Sequence, residues 1–360
     1  MKHPKQKASQ ILNNSVIEKK NLSRRAFLKV GSLGAIGFAL ANLLPGSLQS
    51  KVNAEEVQGS KTSSSGHGHG GHMMSTKKNP TVMKHGHDPM KFLTHFDYGK
   101  ESKLPNGQTL REYTIVAEDK EIEVAPGVFF PAWTYNGAVP GPTIRCTEGD
   151  RVKIRFINNG SHAHTIHFHG IHPANMDGSF EIVPPGGGTF TYEFDALPFG
   201  LHVYHCHTIP FTKHIAKGLY GTFIIDPKTP RPPAKEMVMV MNGYDTNFDG
   251  GNEFYTVNGV AFYYNDYPIK VKVGEKLRIY LSNMTEFDLI NSFHLHGDMF
   301  RYYPTGTNLE QFELTDTIMQ AQGQRGIIEF SFTHPGPFMF HAHVNEFTEL
   351  GWLGLFEVEK

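Results

Sequence analysis

The chain has 360 residues, a formal net charge of -1 and only 19% charged residues. That length accommodates two domains of ordinary size, and the near-zero charge removes any electrostatic case for nucleic acid or an anionic membrane as partner. Low charge with 37 glycines and 22 prolines fits an all-β chain rich in turns.

The N-terminal segment reads as an export signal. Ser23-Arg24-Arg25-Ala26-Phe27-Leu28-Lys29 precedes an apolar run from Val30 to Leu44; the run is short for a membrane span and has the length of a signal core. Arg24-Arg25 matches the twin-arginine pattern that exports folded proteins, with cleavage expected near Val52-Asn53-Ala54. Residues 1–54 are therefore expected to direct the chain to the periplasm or the cell exterior without stable membrane insertion. Residues 55–95 read as a disordered linker. Gly66-His67-Gly68-His69-Gly70-Gly71-His72-Met73-Met74 and Lys84-His85-Gly86-His87 offer nothing that could bury a core, and either loose metal capture or a plain spacer suits them.

From about residue 96 the chain repeats once. Asn136-Gly137, Pro142-Thr143-Ile144 and Gly149-Asp150-Arg151-Val152-Lys153-Ile154-Arg155-Phe156 are answered by Asn258-Gly259, Pro268-Ile269-Lys270-Val271 and Gly274-Glu275-Lys276-Leu277-Arg278-Ile279-Tyr280. Alternating runs read as half-buried strands. Short strands between turn signals predict two Greek-key β-sandwiches over 96–229 and 230–360, joined at Arg231-Pro232-Pro233.

Each half carries two His-x-His pairs: His167/His169 and His205/His207, then His294/His296 and His341/His343. On a strand, a His-x-His step points both imidazoles to one face. Eight convergent imidazoles suit copper, zinc, iron or nickel alike; a cysteine inside the second pair, Cys206, narrows the choice, because one thiolate with imidazoles makes a blue-copper centre. Tyr204-His205-Cys206-His207 continues to His214 and Leu219, with Leu219 at the weak axial place. His164, three before His167, faces opposite to the pair and supplies the second imidazole. His205 and His207 likewise point away from Cys206, so the thiolate serves one metal and its neighbours another. Cys146, in Thr143-Ile144-Arg145-Cys146, reads as a small buried apolar residue, and no disulfide is expected.

His-x-x-His-x-His-Gly, then His-Cys-His with a following His and Gly-Leu, resembles the multicopper oxidases over residues 96–360. The resemblance implies two cupredoxin-type domains. It also implies four coppers per chain: a mononuclear type 1 site at His164, Cys206, His214 and Leu219, and a trinuclear type 2/type 3 cluster on His167, His169, His205, His207, His294, His296, His341 and His343. In that family the cluster reduces dioxygen to water with electrons from a small reducing substrate. In the second half Asn291 stands where His164 stood, Ala342 where Cys206 stood, and Val344-Asn345-Glu346-Phe347 offers no later histidine. This resembles two-domain oxidases whose blue site lies only in the first domain. There, three chains form a ring and each cluster lies between neighbours. The eight-residue step from Cys206 to His214 resembles the copper nitrite reductases. Those have an aspartate at the place of His167 and a non-histidine at the place of His207, so the trinuclear reading is preferred.

Asp177, in Met176-Asp177-Gly178, and Glu346 resemble the family's acidic residues near the cluster and are read, with Cys206, as catalytic. His162, His172, His202 and His334 are read as surface or internally satisfied, and Met237, Met239 and Met241 as one core face of a strand. The expected electron donor is a phenol, an aromatic amine or a metal ion. The alternatives are nitrite reduction, and copper binding without turnover.

Overall fold

The structure, a computed structural model, describes residues 88–360; the expected signal peptide and the linker to residue 87 lie outside the described residues. The first half contributes β1 (Lys100–Lys103), β2 (Thr109–Ala125), β3 (Val128–Tyr135), β4 (Ile144–Thr147), β5 (Arg151–Asn158), β6 (His167–Phe168), β7 (Gly188–Asp195), β8 (Gly200–His205) and β9 (Tyr220–Asp226). One sheet runs β1-β2-β5-β7 with β3 on β2, and the other runs β4-β9-β8-β6. The second half contributes β10 (Lys235–Tyr244), β11 (Phe254–Val257), β12 (Ile269–Lys272), β13 (Leu277–Asn283), β14 (Ile290–Leu295) and β15 (Phe300–Pro304). It continues with β16 (Glu313–Thr315), β17 (Thr317–Ala321), β18 (Arg325–Phe330), β19 (Gly336–His341) and β20 (Leu353–Glu359). Its sheets run β11-β10-β13-β18-β15-β16 and β12-β20-β19-β14-β17. The chain is thus an all-β pair of cupredoxin-type sandwiches.

The sequence repeat is a topological repeat. β2 pairs parallel with β5 as β10 does with β13, and β4 pairs parallel with β9 as β12 does with β20. The antiparallel pair β6–β8 sets His167 opposite His205; β14–β19 sets His294 opposite His341. Alternation builds each sandwich. Along β5, Val152, Ile154 and Phe156 are fully buried, with Lys153 and Arg155 between them on the other face, as period-two strand geometry requires.

Two cores fill the sandwiches and a third joins them. β10 serves both neighbours: Met237, Met239 and Met241 enter the second sandwich, and Val238 and Val240 enter the junction beside Leu201, Val203 and Ile224. A buried ion network reinforces the junction. Arg145 Nε meets Asp226 at 2.7 Å and its Nη1 meets Glu236 at 2.6 Å; Arg278 then links Glu236 at 2.9 Å to Glu329 at 2.7 Å. Removing one member would strand a desolvated charge.

The linker ends earlier than the sequence predicts. Asp88 caps α1 (Pro89–Phe92), its Oδ1 accepting from the backbone N–H of Met90 at 3.0 Å and of Lys91 at 3.3 Å. Tyr264 donates its hydroxyl to the Pro89 carbonyl at 2.8 Å, and the Leu93 carbonyl accepts from Val238 N–H at 2.8 Å. Leu93 is 1% exposed within the second core. Residues 88–95 are thus an ordered strap. The reason is physical: Met90, Phe92 and Leu93 supply the apolar surface that the His/Gly tract before them lacks. Leu93→Ala should destabilise the protein by about 2–5 kcal/mol through the cavity it leaves. Denaturant unfolding of the metal-free protein checks this, and an unchanged midpoint would refute the strap.

Candidate metal centres

The first centre gathers at one end of the first sandwich. His164 is fixed in an isolated bridge by paired backbone bonds with Val183, both 3.1 Å. Cys206 follows β8 directly, and α2 (Phe211–Ala216) delivers His214. Cys206 Sγ lies 3.1 Å from His214 Nδ1 and 3.9 Å from His164 Nδ1, and the two Nδ1 atoms are 3.2 Å apart. Cys206 N–H donates to the Leu219 carbonyl at 2.9 Å, which seats buried Leu219 beside the thiol. Burial, then the neighbouring His214, pushes His164 down to about 3; burial, then His162, pushes His214 to about 4. Both are neutral and ligand-ready near neutral pH. Burial pushes the Cys206 thiol up against hydrogen bonds from Thr208 and Thr165, so a thiolate here calls for a cation beside it. His164 Nε2 is buried without a partner. One thiol and two neutral imidazoles form a donor set that fits copper.

The second centre lies on the opposite face of the same strands. His169 Nε2 and His205 Nε2 face each other at 2.8 Å. His167 Nδ1 donates to the Asp177 carbonyl at 2.8 Å, and His205 Nδ1 to the Cys206 carbonyl at 2.9 Å. These backbone acceptors fix the tautomer and leave Nε2 for a metal. His207 stands 5.1 Å from His167, ring to ring, with its buried Nδ1 unpartnered. Burial first, then neighbouring histidines, lowers His169 to about 3; burial also lowers His205 to about 4.

The second half reproduces this set. His296 Nε2 faces His341 Nε2 at 3.1 Å; His294 Nδ1 donates to the Asp316 carbonyl at 2.9 Å, and His341 Nδ1 to the Ala342 carbonyl at 2.7 Å. Ser292 Oγ accepts from His343 N–H at 2.8 Å as Thr165 Oγ1 does from His207 N–H at 3.0 Å. Backbone bonding also aligns the lost site. Ala342 N–H donates to Trp352 O at 3.2 Å and Trp352 N–H to Phe347 O at 2.9 Å, repeating Cys206 to Leu219 at 2.9 Å and Leu219 to His214 at 3.2 Å. Asn291, Ala342, Phe347 and Trp352 therefore occupy the places of His164, Cys206, His214 and Leu219. Phe347 stacks on Tyr255 at 3.8 Å, and Asn291 is bonded to Thr285. The vacated pocket has become core.

Among the described residues, no ring contact or hydrogen bond joins a histidine of the first set to one of the second. Asp177 Oδ1 stands 3.1 Å from His167 Nδ1 and 3.3 Å from His172 Nε2. The Ser179 hydrogen bond, followed by nearby histidines, holds its carboxyl below the ordinary value. Gly178, at φ +76, packs against the Ile166 carbonyl, where any Cβ would collide; the Asp-Gly turn is pinned to the cluster strand. Glu346 is exposed on the first turn of α3 (Asn345–Glu349).

Sequence reasoning passed over two residues here. His172 closes a triangle with His167 and Asp177, and only its closeness in sequence to His169 hinted at this. Trp133 covers both imidazoles of the first centre, and no motif marks it. The His202 ring nitrogens face the His169 and Pro198 carbonyls at 3.1 and 3.0 Å, so its single N–H donates to one of these two acceptors.

Residues 117–230 and 228–360 each match a multicopper oxidase domain. A solved structure titled as a multicopper oxidase superposes with a TM-score of 0.75 at 59% identity, over 76% of this chain and 98% of that one. The copper nitrite reductase from Nitrosomonas europaea gives a TM-score of 0.65 at 26% identity, over 70% of this chain and 94% of that one. A copper-containing nitrite reductase of Neisseria meningitidis is 33% identical over 264 residues, 67% of each chain. With the motifs, the paired sandwiches and the histidine geometry, these matches show that the chain belongs to the multicopper oxidase family, as a two-domain member related to the copper nitrite reductases.

Proposed function

We propose that this chain is an exported oxidase that takes single electrons from a small reducing substrate and reduces dioxygen to two waters with four electrons and four protons. The observation that carries this reading is a complete four-histidine set on each half, with His167 and His207 both imidazole. Bound copper would supply electron acceptance at His164, Cys206 and His214 and dioxygen chemistry at the paired histidines. The chain's own part is geometric. Cys206 is covalently continuous with His205 and His207, so a short bonded path leads from the thiol to the cluster face. Asp177, touching His167 and His172, is placed to pass protons inward at Oδ1, and Glu346, three residues past His343, is a second acid beside the second set.

The two sets lie apart in one chain, so the oxidase reading needs a second copy. Exposed apolar residues occur on both halves: Phe180, Ile182, Ile209 and Phe211 on the first, Leu289, Ile290, Met299, Leu314 and Met319 on the second. Contact between two different faces is a head-to-tail contact, which gives a ring where the rotation closes; we take that ring to be a homotrimer. Nitrite reduction is the second reading, favoured by the names of the relatives.

Three outcomes test this. Metal analysis of fully loaded protein should give four coppers per chain, whereas two would favour nitrite reduction. Cys206→Ser should abolish the blue absorption while the imidazole-only cluster retains most of its copper; a mutant that stays blue would mean the site is misplaced. Sedimentation should show a trimer. Leu289→Glu, at a residue 92% exposed, should shift it toward monomer and lower oxygen uptake at least about tenfold; a monomer with full uptake would refute the shared cluster.

A further inference from the structure

Both imidazoles of the mononuclear centre are buried, His164 at 0% and His214 at 3% exposure. Trp133, itself 6% exposed on β3, lies against both, with ring centroids 5.2 Å from His164 and 4.9 Å from His214. Its outer side meets exposed His162 at 4.4 Å and the Lys213 ammonium at 5.1 Å. A groove of about 450 Å³ opens there, lined by Asp119, Lys120, Glu121, Trp133, His162 and Lys213 among others. A smaller recess of about 160 Å³ reaches His214 between Ile209, Pro210 and Lys213. That is the size of a cavity that holds one bare benzene ring, so the larger groove against the indole offers more room to a substituted ring.

We propose that Trp133 is the electron-entry residue of this protein, and that the groove beside it binds a phenol or hydroquinone carrying an anionic substituent. The groove's size and aromatic wall suit a single substituted ring. Lys120, Lys213 and Lys217 against Asp119 and Glu121 leave the groove one positive charge in excess, which attracts an anionic donor and disfavours a metal cation. In each turnover the donor loses one electron, one O–H bond breaks, and the proton passes to water in the open groove. The donor leaves as a phenoxyl radical. The electron would pass through the indole and the imidazoles it meets edge-on to oxidised copper held by His164, Cys206 and His214, and the indole ends unchanged. Electronic coupling falls steeply with separation, so removing the ring that bridges groove and imidazoles removes the path.

The inference rests on the oxidase reading only in needing a redox-active mononuclear centre, and its test uses no oxygen. In copper-loaded protein under anaerobic conditions, hydroquinone sulfonate should bleach the blue absorption. Trp133→Leu should slow that bleaching at least about tenfold at unchanged copper content and starting absorption, with Trp133→Phe between the two. Bleaching of Trp133→Leu at the wild-type rate would overturn the proposal and assign entry to the recess at His214; if that variant fails to load copper, Trp133→Phe decides by the same criterion. In metal-free protein, benzenesulfonate should quench indole fluorescence saturably, and Lys213→Glu should weaken this binding about tenfold. Equal binding by that variant would overturn the anionic-donor assignment. Trp133-dependent bleaching without oxygen uptake would sink the oxidase reading and leave electron entry at Trp133 standing.

Discussion

The structure depends on one constraint, the two-residue period of the extended segment at the end of β8 that carries His205, Cys206 and His207. Because neighbours on an extended chain face opposite ways, Cys206 meets His164 and His214 on one side while His205 meets His169 on the other. Two centres share one strand, and the bonds that separate them also connect them. The surrounding sandwich serves this arrangement. The β6–β8 register sets His167 across from His205, and backbone carbonyls of Asp177 and Cys206 orient the rings before any metal arrives. Preorganisation of this kind lets ligands keep their geometry through changes of redox state.

The second half shows which parts of that device are separable. Its imidazole set keeps the same ring contacts, the same carbonyl partners and the same hydroxyl at Ser292. On the other face, Asn291, Ala342, Phe347 and Trp352 stand in the ligands' places, and Phe347 stacks on Tyr255 within the core. Alternation permits this divergence: one face of a strand can be rebuilt as core while the other keeps its ligands, because the two faces share only backbone.

Exposure divides the labour. The mononuclear imidazoles are buried beneath Trp133, whereas His296 and His343 are exposed at the surface of the second half. A buried pair communicates through whatever ring touches it. An exposed set of imidazoles, on a half whose apolar side chains a single chain leaves uncovered, is suited to completion by another copy.

The sequence by itself determined the repeat, the strand runs and the paired His-x-His imidazoles, because period-two patterning and ligand chemistry are local properties. Met237, Met239 and Met241 were likewise legible as core, since alternation on β10 needs no partner to be read. Only the tertiary structure decided the rest, where the deciding contact is distant in sequence. The strap at 88–95 is ordered because Leu93 finds the second core, which a linker-like composition upstream concealed. The alignment of Phe347 with His214 rests on backbone bonds to Trp352 and Leu219, since the intervening loops differ in length: Ala342 and Phe347 are five apart, Cys206 and His214 eight. Trp133 and His172 belong to no motif. One reached its place through the β2–β3 hairpin and the other through a turn folded back on His167, and side-chain proximity made by folding has no signature in the order of residues.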